Sequence, residues 1–114
     1  MLKKNADVKF KENGDTLTAC VGGEIDHYGA AEVRVVIDRE LIKRLPDTLS
    51  LDLSGVKFMD SSGLGLILGR YNKATSLGIG FKVENPSESA GRIMSAAGAG
   101  RIINIVDTRK DETK

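Results

Sequence analysis

A chain of 114 residues is long enough to bury one hydrophobic core and too short to divide into two. Apolar residues make up 40% of it and charged residues 29%, an ordinary balance for a globular domain and far from the composition of disorder. Its 17 basic and 16 acidic side chains are scattered and leave a formal charge of +1, too little field to hold a phosphate backbone or an anionic membrane, so neither nucleic acid nor membrane is an expected partner.

Taken in chain order, Val8 and Phe10, then Leu17, Ala19 and Val21, alternate with polar residues around Asn13-Gly14-Asp15, the pattern of a β-hairpin. A helix is expected over 30–45, with Gly29 as N-cap, Glu32 as an acidic third residue, Val33, Ile37 and Leu41 as the core stripe, and Pro46 as the stop. A strand over 49–53 leads to a second helix over 62–77, which opens at Asp60-Ser61-Ser62, buries Leu64, Ile67, Leu68, Tyr71 and Ala74, and ends at Gly78. A strand over 79–84, a helix over 88–97 with Glu88 in its first turn, and a less regular strand over 102–106 complete the order β-β-α-β-α-β-α-β. Strands buried on both faces read as continuous apolar runs, whereas these alternate. The expected fold is therefore α/β, a mixed sheet of about five strands with helices mainly on one face. One domain is expected over 1–106, followed by a charged and mobile tail over 107–114, which holds no apolar residue.

Catalytic signatures are scarce. Cys20 is the only cysteine and His27 the only histidine, so no disulfide can close within the chain and no Cys/His cluster has metal-site spacing. Ser61 and Ser62 lack the Gly-x-Ser-x-Gly pattern of a nucleophile elbow, and His27 follows Asp26 in an expected loop. Gly63-Leu64-Gly65 and Gly98-Ala99-Gly100 lack the Gly-Lys-Ser/Thr ending or the fingerprint spacing of nucleotide sites. No enzyme activity and no cofactor is expected. The N-terminus lacks the apolar core of a signal peptide, and no apolar run approaches the ~20 residues that span a bilayer, which makes the cytoplasm the expected location.

The segment that invites a functional reading runs from Leu51 to Gly65, where a strand passes through a short loop into Asp60-Ser61-Ser62 and a helix bearing Gly65 and Gly69. Any of Asp60, Ser61 and Ser62 could simply cap that helix. Gly65 and Gly69, however, fall off the apolar stripe and each costs roughly 0.5 to 1 kcal/mol relative to alanine inside a helix. Close approach by another surface would compensate, and a hydroxyl at the same helix end would be open to a kinase.

From Phe58 to Tyr71 the sequence resembles the phosphorylation segment of the anti-sigma factor antagonists, the family that defines the STAS domain. Gly23-Glu24-Ile25-Asp26-His27-Tyr28 resembles the family's loop between second strand and first helix, nearest to its sporulation branch. The resemblance extends over about 8–106. It implies Ser61 as the phosphoacceptor, Asp26 beside the same surface and Asp60 shaping the acceptor loop. The face expected to meet the partner comprises Asp26, Asp60, Ser61, Ser62, Gly63, Gly65 and Gly69. The implied partners are an anti-sigma factor that is also a serine kinase and a separate serine phosphatase, with a monomer as the free state. Unphosphorylated antagonist would bind the kinase and free the sigma factor, and phosphorylation would end that binding. The alternatives are a stress-response antagonist with a different kinase and a nucleotide-binding member of the same fold. Around Ser95-Ala96-Ala97-Gly98-Ala99-Gly100-Arg101 the sequence departs from the family by offering only small residues before the last strand, where relatives carry a larger apolar one.

Overall fold

The computed structural model describes residues 5–109. Hairpin strands β1 (Ala6–Asn13) and β2 (Thr16–Ile25) pair antiparallel across a tight turn in which Gly14 takes φ +61°, the left-handed conformation such turns demand. Then follow α1 (His27–Arg44), β3 (Thr48–Met59), α2 (Ser61–Ser76), β4 (Gly80–Glu84), α3 (Glu88–Ala96), a 3-10 turn (Ala99–Arg101) and β5 (Asn104–Val106). The sheet order is β1-β2-β3-β4-β5, with every pair after the first parallel. Each crossover advances one strand in the same direction, and right-handed connections of that kind place all three helices on one face.

That face holds the core. Leu17, Ala19 and Val21 of β2, Leu49, Leu51 and Leu53 of β3 and Val83 of β4 are buried there against Val33, Ile37 and Leu41 of α1, Ile67 and Ala74 of α2 and Met94 of α3. The alternate residues point the other way. Thr18, Ser50 and Lys82 form one cross-strand row and Cys20, Asp52 and Glu84 the next, a polar face away from the described helices in which Ser50 itself is buried. On it Ser50 donates a hydrogen bond to Glu84 (2.7 Å), and burial pushes the Cys20 thiol above its ordinary range, with Lys11 opposing.

Three expectations need correction. The first helix begins at His27, because Asp26 rather than Gly29 caps it, so His27 is helical and not in a loop. The third strand runs on to Met59 instead of stopping at Leu53: β3 carries two extra residues relative to β2, between the partners of Cys20 and Gly22 and between those of Gly23 and Glu24. Each bulge resets the alternation, so Leu53, Val56 and Met59 are buried three residues apart. On α2 the buried side is Gly63, Leu66, Ile67, Arg70 and Ala74; Leu68 and Tyr71 pack at its margin, and Leu64 stands outside the core. The start of the expected tail lies among the described residues. Thr108 donates its backbone N–H to Asn85 (2.8 Å) and Arg109 its guanidinium to the Pro86 carbonyl (2.7 Å), while 110–114 lie outside the described residues. Among the described residues, no helix is long and apolar enough to cross a membrane.

Candidate functional site

The site is built where β2 and β3 end side by side. Ile25 and Met59 are register partners, and the residue after each is an aspartate in extended conformation that caps the next helix. Asp26 accepts a hydrogen bond from the Gly29 N–H (2.9 Å) and Asp60 one from the Ser62 N–H (2.8 Å). Such caps satisfy helix N–H groups that otherwise have no partner. Both corners also need a glycine at the fourth position. A Cβ on Gly29 would lie 2.4 Å from the Glu24 carbonyl oxygen, and one on Gly63 would lie 2.2 Å from Met59 Cγ and 3.2 Å from Ile25 Cγ2. The sequence Asp-x-x-Gly thus occurs twice, at Asp26-His27-Tyr28-Gly29 and Asp60-Ser61-Ser62-Gly63. This local duplication escapes a search for repeats because only two of the four residues agree.

With Asp60 serving as cap, Ser61 is left on the surface as the first residue of α2. Ser62 is half-buried behind it. Ser61, Gly65 and Gly69 follow at intervals of four, which places them in one row along the helix surface. Among the described residues, a Cβ on Gly65 or Gly69 would meet nothing within 4 Å, so no contact there calls for either glycine. Gly63 differs from them: it is buried, and its place is to seat the helix on Met59 and Ile25 rather than to line the outer row.

Two aromatic residues at the same edge went unnoticed in the sequence as contact candidates. Tyr28 is 77% exposed and Phe58 48% exposed, while the His27 ring stacks edge-on against Tyr28 at 5.3 Å. Phe58 was hidden by the bulged end of β3, where simple alternation stops indicating direction. Tyr28 could have been found once its position behind a capping aspartate was recognised.

Farther along, α2 is tied to α1 through Arg70, whose Nε lies 2.9 Å from Asp38 Oδ1. The N–H does not point along this contact, so the pair is Coulombic rather than a formed hydrogen bond. Arg70 is the more enclosed partner, its side chain 7% exposed, and burial lowers its pKa from the usual guanidinium range against the pull of Asp38.

The family model of the STAS domain matches residues 7–112. The chain belongs to the STAS domain family. Within that family its relatives are anti-sigma factor antagonists. It is 31% identical to the anti-sigma F factor antagonist of Paenibacillus polymyxa over 103 residues, covering 90% of this chain and 88% of the relative. It is 34% identical to the anti-sigma-B factor antagonist of Bacillus subtilis (strain 168), covering 89% and 91%. The STAS fold is also that of the anti-sigma factor antagonist SpoIIAA in its unphosphorylated form, with a TM-score of 0.73, 23% identity and 92% of both chains covered. This STAS chain is therefore an anti-sigma factor antagonist by family.

Proposed function

We propose that this antagonist is a phosphorylation-controlled binding protein and not an enzyme. Unmodified, it binds an anti-sigma factor that is also a serine kinase and so frees the sigma factor; phosphorylation of Ser61 ends the binding and a serine phosphatase restores it. The sporulation-like loop Gly23–Tyr28 favours a kinase of the sporulation type, acting in the cytoplasm. The observation that carries this reading is the division of labour at the head of α2. Asp60 does the capping, which leaves the Ser61 hydroxyl exposed at the start of a row made bare by Gly65 and Gly69.

Phosphorylation adds about −1.5 to −2 charges, and a helix N-terminus tolerates an anion, so the damage falls on the interface rather than the fold. Against a partner carboxylate ~6 Å away, at an effective dielectric of ~20, each unit charge costs about 3 kcal/mol, roughly a hundredfold in affinity. The test is incubation with the cognate kinase and ATP, followed by mass spectrometry and binding measurements. Phosphate is expected on Ser61. Ser61→Ala should bind permanently and Ser61→Asp weakly, while Ser62→Ala still accepts phosphate, because the cap uses only the Ser62 backbone. Phosphate on Ser62, or full labelling of Ser61→Ala, overturns the assignment.

A further inference from the structure

The small-residue stretch before the last strand leaves an unfilled apolar groove. α3 leans toward β3, with the Ser87 N–H donating to the Leu53 carbonyl (3.1 Å) and the Ser89 hydroxyl to the Lys57 carbonyl (3.0 Å), and among the described residues no α-helix packs extensively on the short edge strand β5. The resulting groove has a volume of about 350 Å³. Met94, Ile105 and Pro86 form its apolar walls, and Gly91 and Gly100 leave its backbone bare. A Cβ on Gly91 would stand 4.0 Å from Pro86 Cβ and one on Gly100 3.8 Å from Ile105 Cδ1, so side chains would fit but are missing.

The rim carries a cation. Arg101 lines the groove and is exposed, and among the described residues it has neither an ion pair nor a side-chain hydrogen bond, unlike Arg92 with Glu88 and Arg109 with Asp107. Among the described residues, no carboxylate lines the groove.

We propose that this groove binds a small anionic amphiphile, an unbranched acyl carboxylate whose chain lies along Met94 and Ile105 and whose head group pairs with Arg101. The volume falls at the lower end of ligand pockets, roughly 300 to 1,000 Å³. At about 30 Å³ per water-sized group it takes ten to twelve heavy atoms, the size of decanoate. Both ends of such a ligand are needed: an uncharged alcohol leaves Arg101 unpaired, and acetate leaves the groove empty.

Titration of the full chain with decanoate, octanoate, decanol and acetate, followed by methyl NMR of Met94 and Ile105, tests this. Decanoate should shift both methyl groups, and octanoate should bind more weakly by up to about fourfold for each methylene removed. Arg101→Gln should weaken decanoate three- to fivefold, the effect of one exposed ion pair, and leave decanol unchanged. Gly91→Leu should abolish binding of both by filling the groove from the middle of α3, where leucine is also the better helix former. Should Gly91→Leu fail to fold, Ser95→Leu, on the exposed side of the same helix, closes the mouth instead. The proposal is overturned if decanoate leaves the two methyl groups unshifted, if decanol binds the native chain as tightly as decanoate, or if the groove-filling variant binds undiminished.

Discussion

At the scale of single residues, Asp26 has a task that its half-buried place between strand and helix conceals. A loop carboxylate ordinarily adds little to stability, but Asp26 accepts the Gly29 N–H and so closes the first turn of α1. Asp26→Ala should therefore lower stability by about 1 kcal/mol, the usual cost of a lost cap, and Tm by about 5 °C. Asp26→Ser keeps a capping oxygen while removing the charge, and should melt within about 2 °C of the native chain. Measuring both by thermal denaturation, and then by partner binding, separates the two duties of the residue. If the two variants melt alike, the cap is not what Asp26 contributes. Glycine at position 29 looked like an adequate N-cap in the sequence because it is a permitted one; its real reason is the Glu24 carbonyl pressed against it, and that contact is invisible until β2 has been placed.

At the scale of elements, the glycines of the two helices sort into those the fold needs and those it does not. Gly29→Ala drives a methyl group into backbone and should cost most; Gly63→Ala meets the Met59 side chain, which can rotate partly aside, and should cost less. Gly65→Ala and Gly69→Ala point into open space and should each stabilise the chain by roughly 0.5 to 1 kcal/mol. Urea denaturation of the four variants checks this order, and a loss of stability at Gly65 or Gly69 would mean that the row has an intramolecular role. Gly69→Leu should likewise fold, and should weaken partner binding by adding bulk to the row. The element order was legible because the strands alternate and the helices have clear stops. The rotation of α2 was not, since Leu64, Leu66, Ile67 and Leu68 supply apolar side chains in several directions and only the packing of Gly63 on Met59 selects among them.

At the scale of the molecule, the edge that carries Asp26, Tyr28, Asp60 and Ser61 keeps its shape only if α1 and α2 hold their spacing, and Arg70 with Asp38 spans that gap. Asp38→Ala should destabilise by about 3 kcal/mol, toward the lower end for breaking a buried pair because Asp38 retains some contact with solvent. The added change Arg70→Met should recover much of the loss by removing the stranded cation, and a double-mutant cycle in denaturant measures the coupling. No reading of the sequence singled out this pair, because an arginine in an apolar stripe looks like a break in the stripe. The repeated Asp-x-x-Gly corner has a consequence beyond stability. Its first residue ties down loose amide groups and its fourth lets the helix settle, so the two between them owe little to folding at either corner. His27-Tyr28 and Ser61-Ser62 therefore occupy interchangeable slots, and a lineage can rewrite them to address a different partner while the scaffold underneath stays as it is.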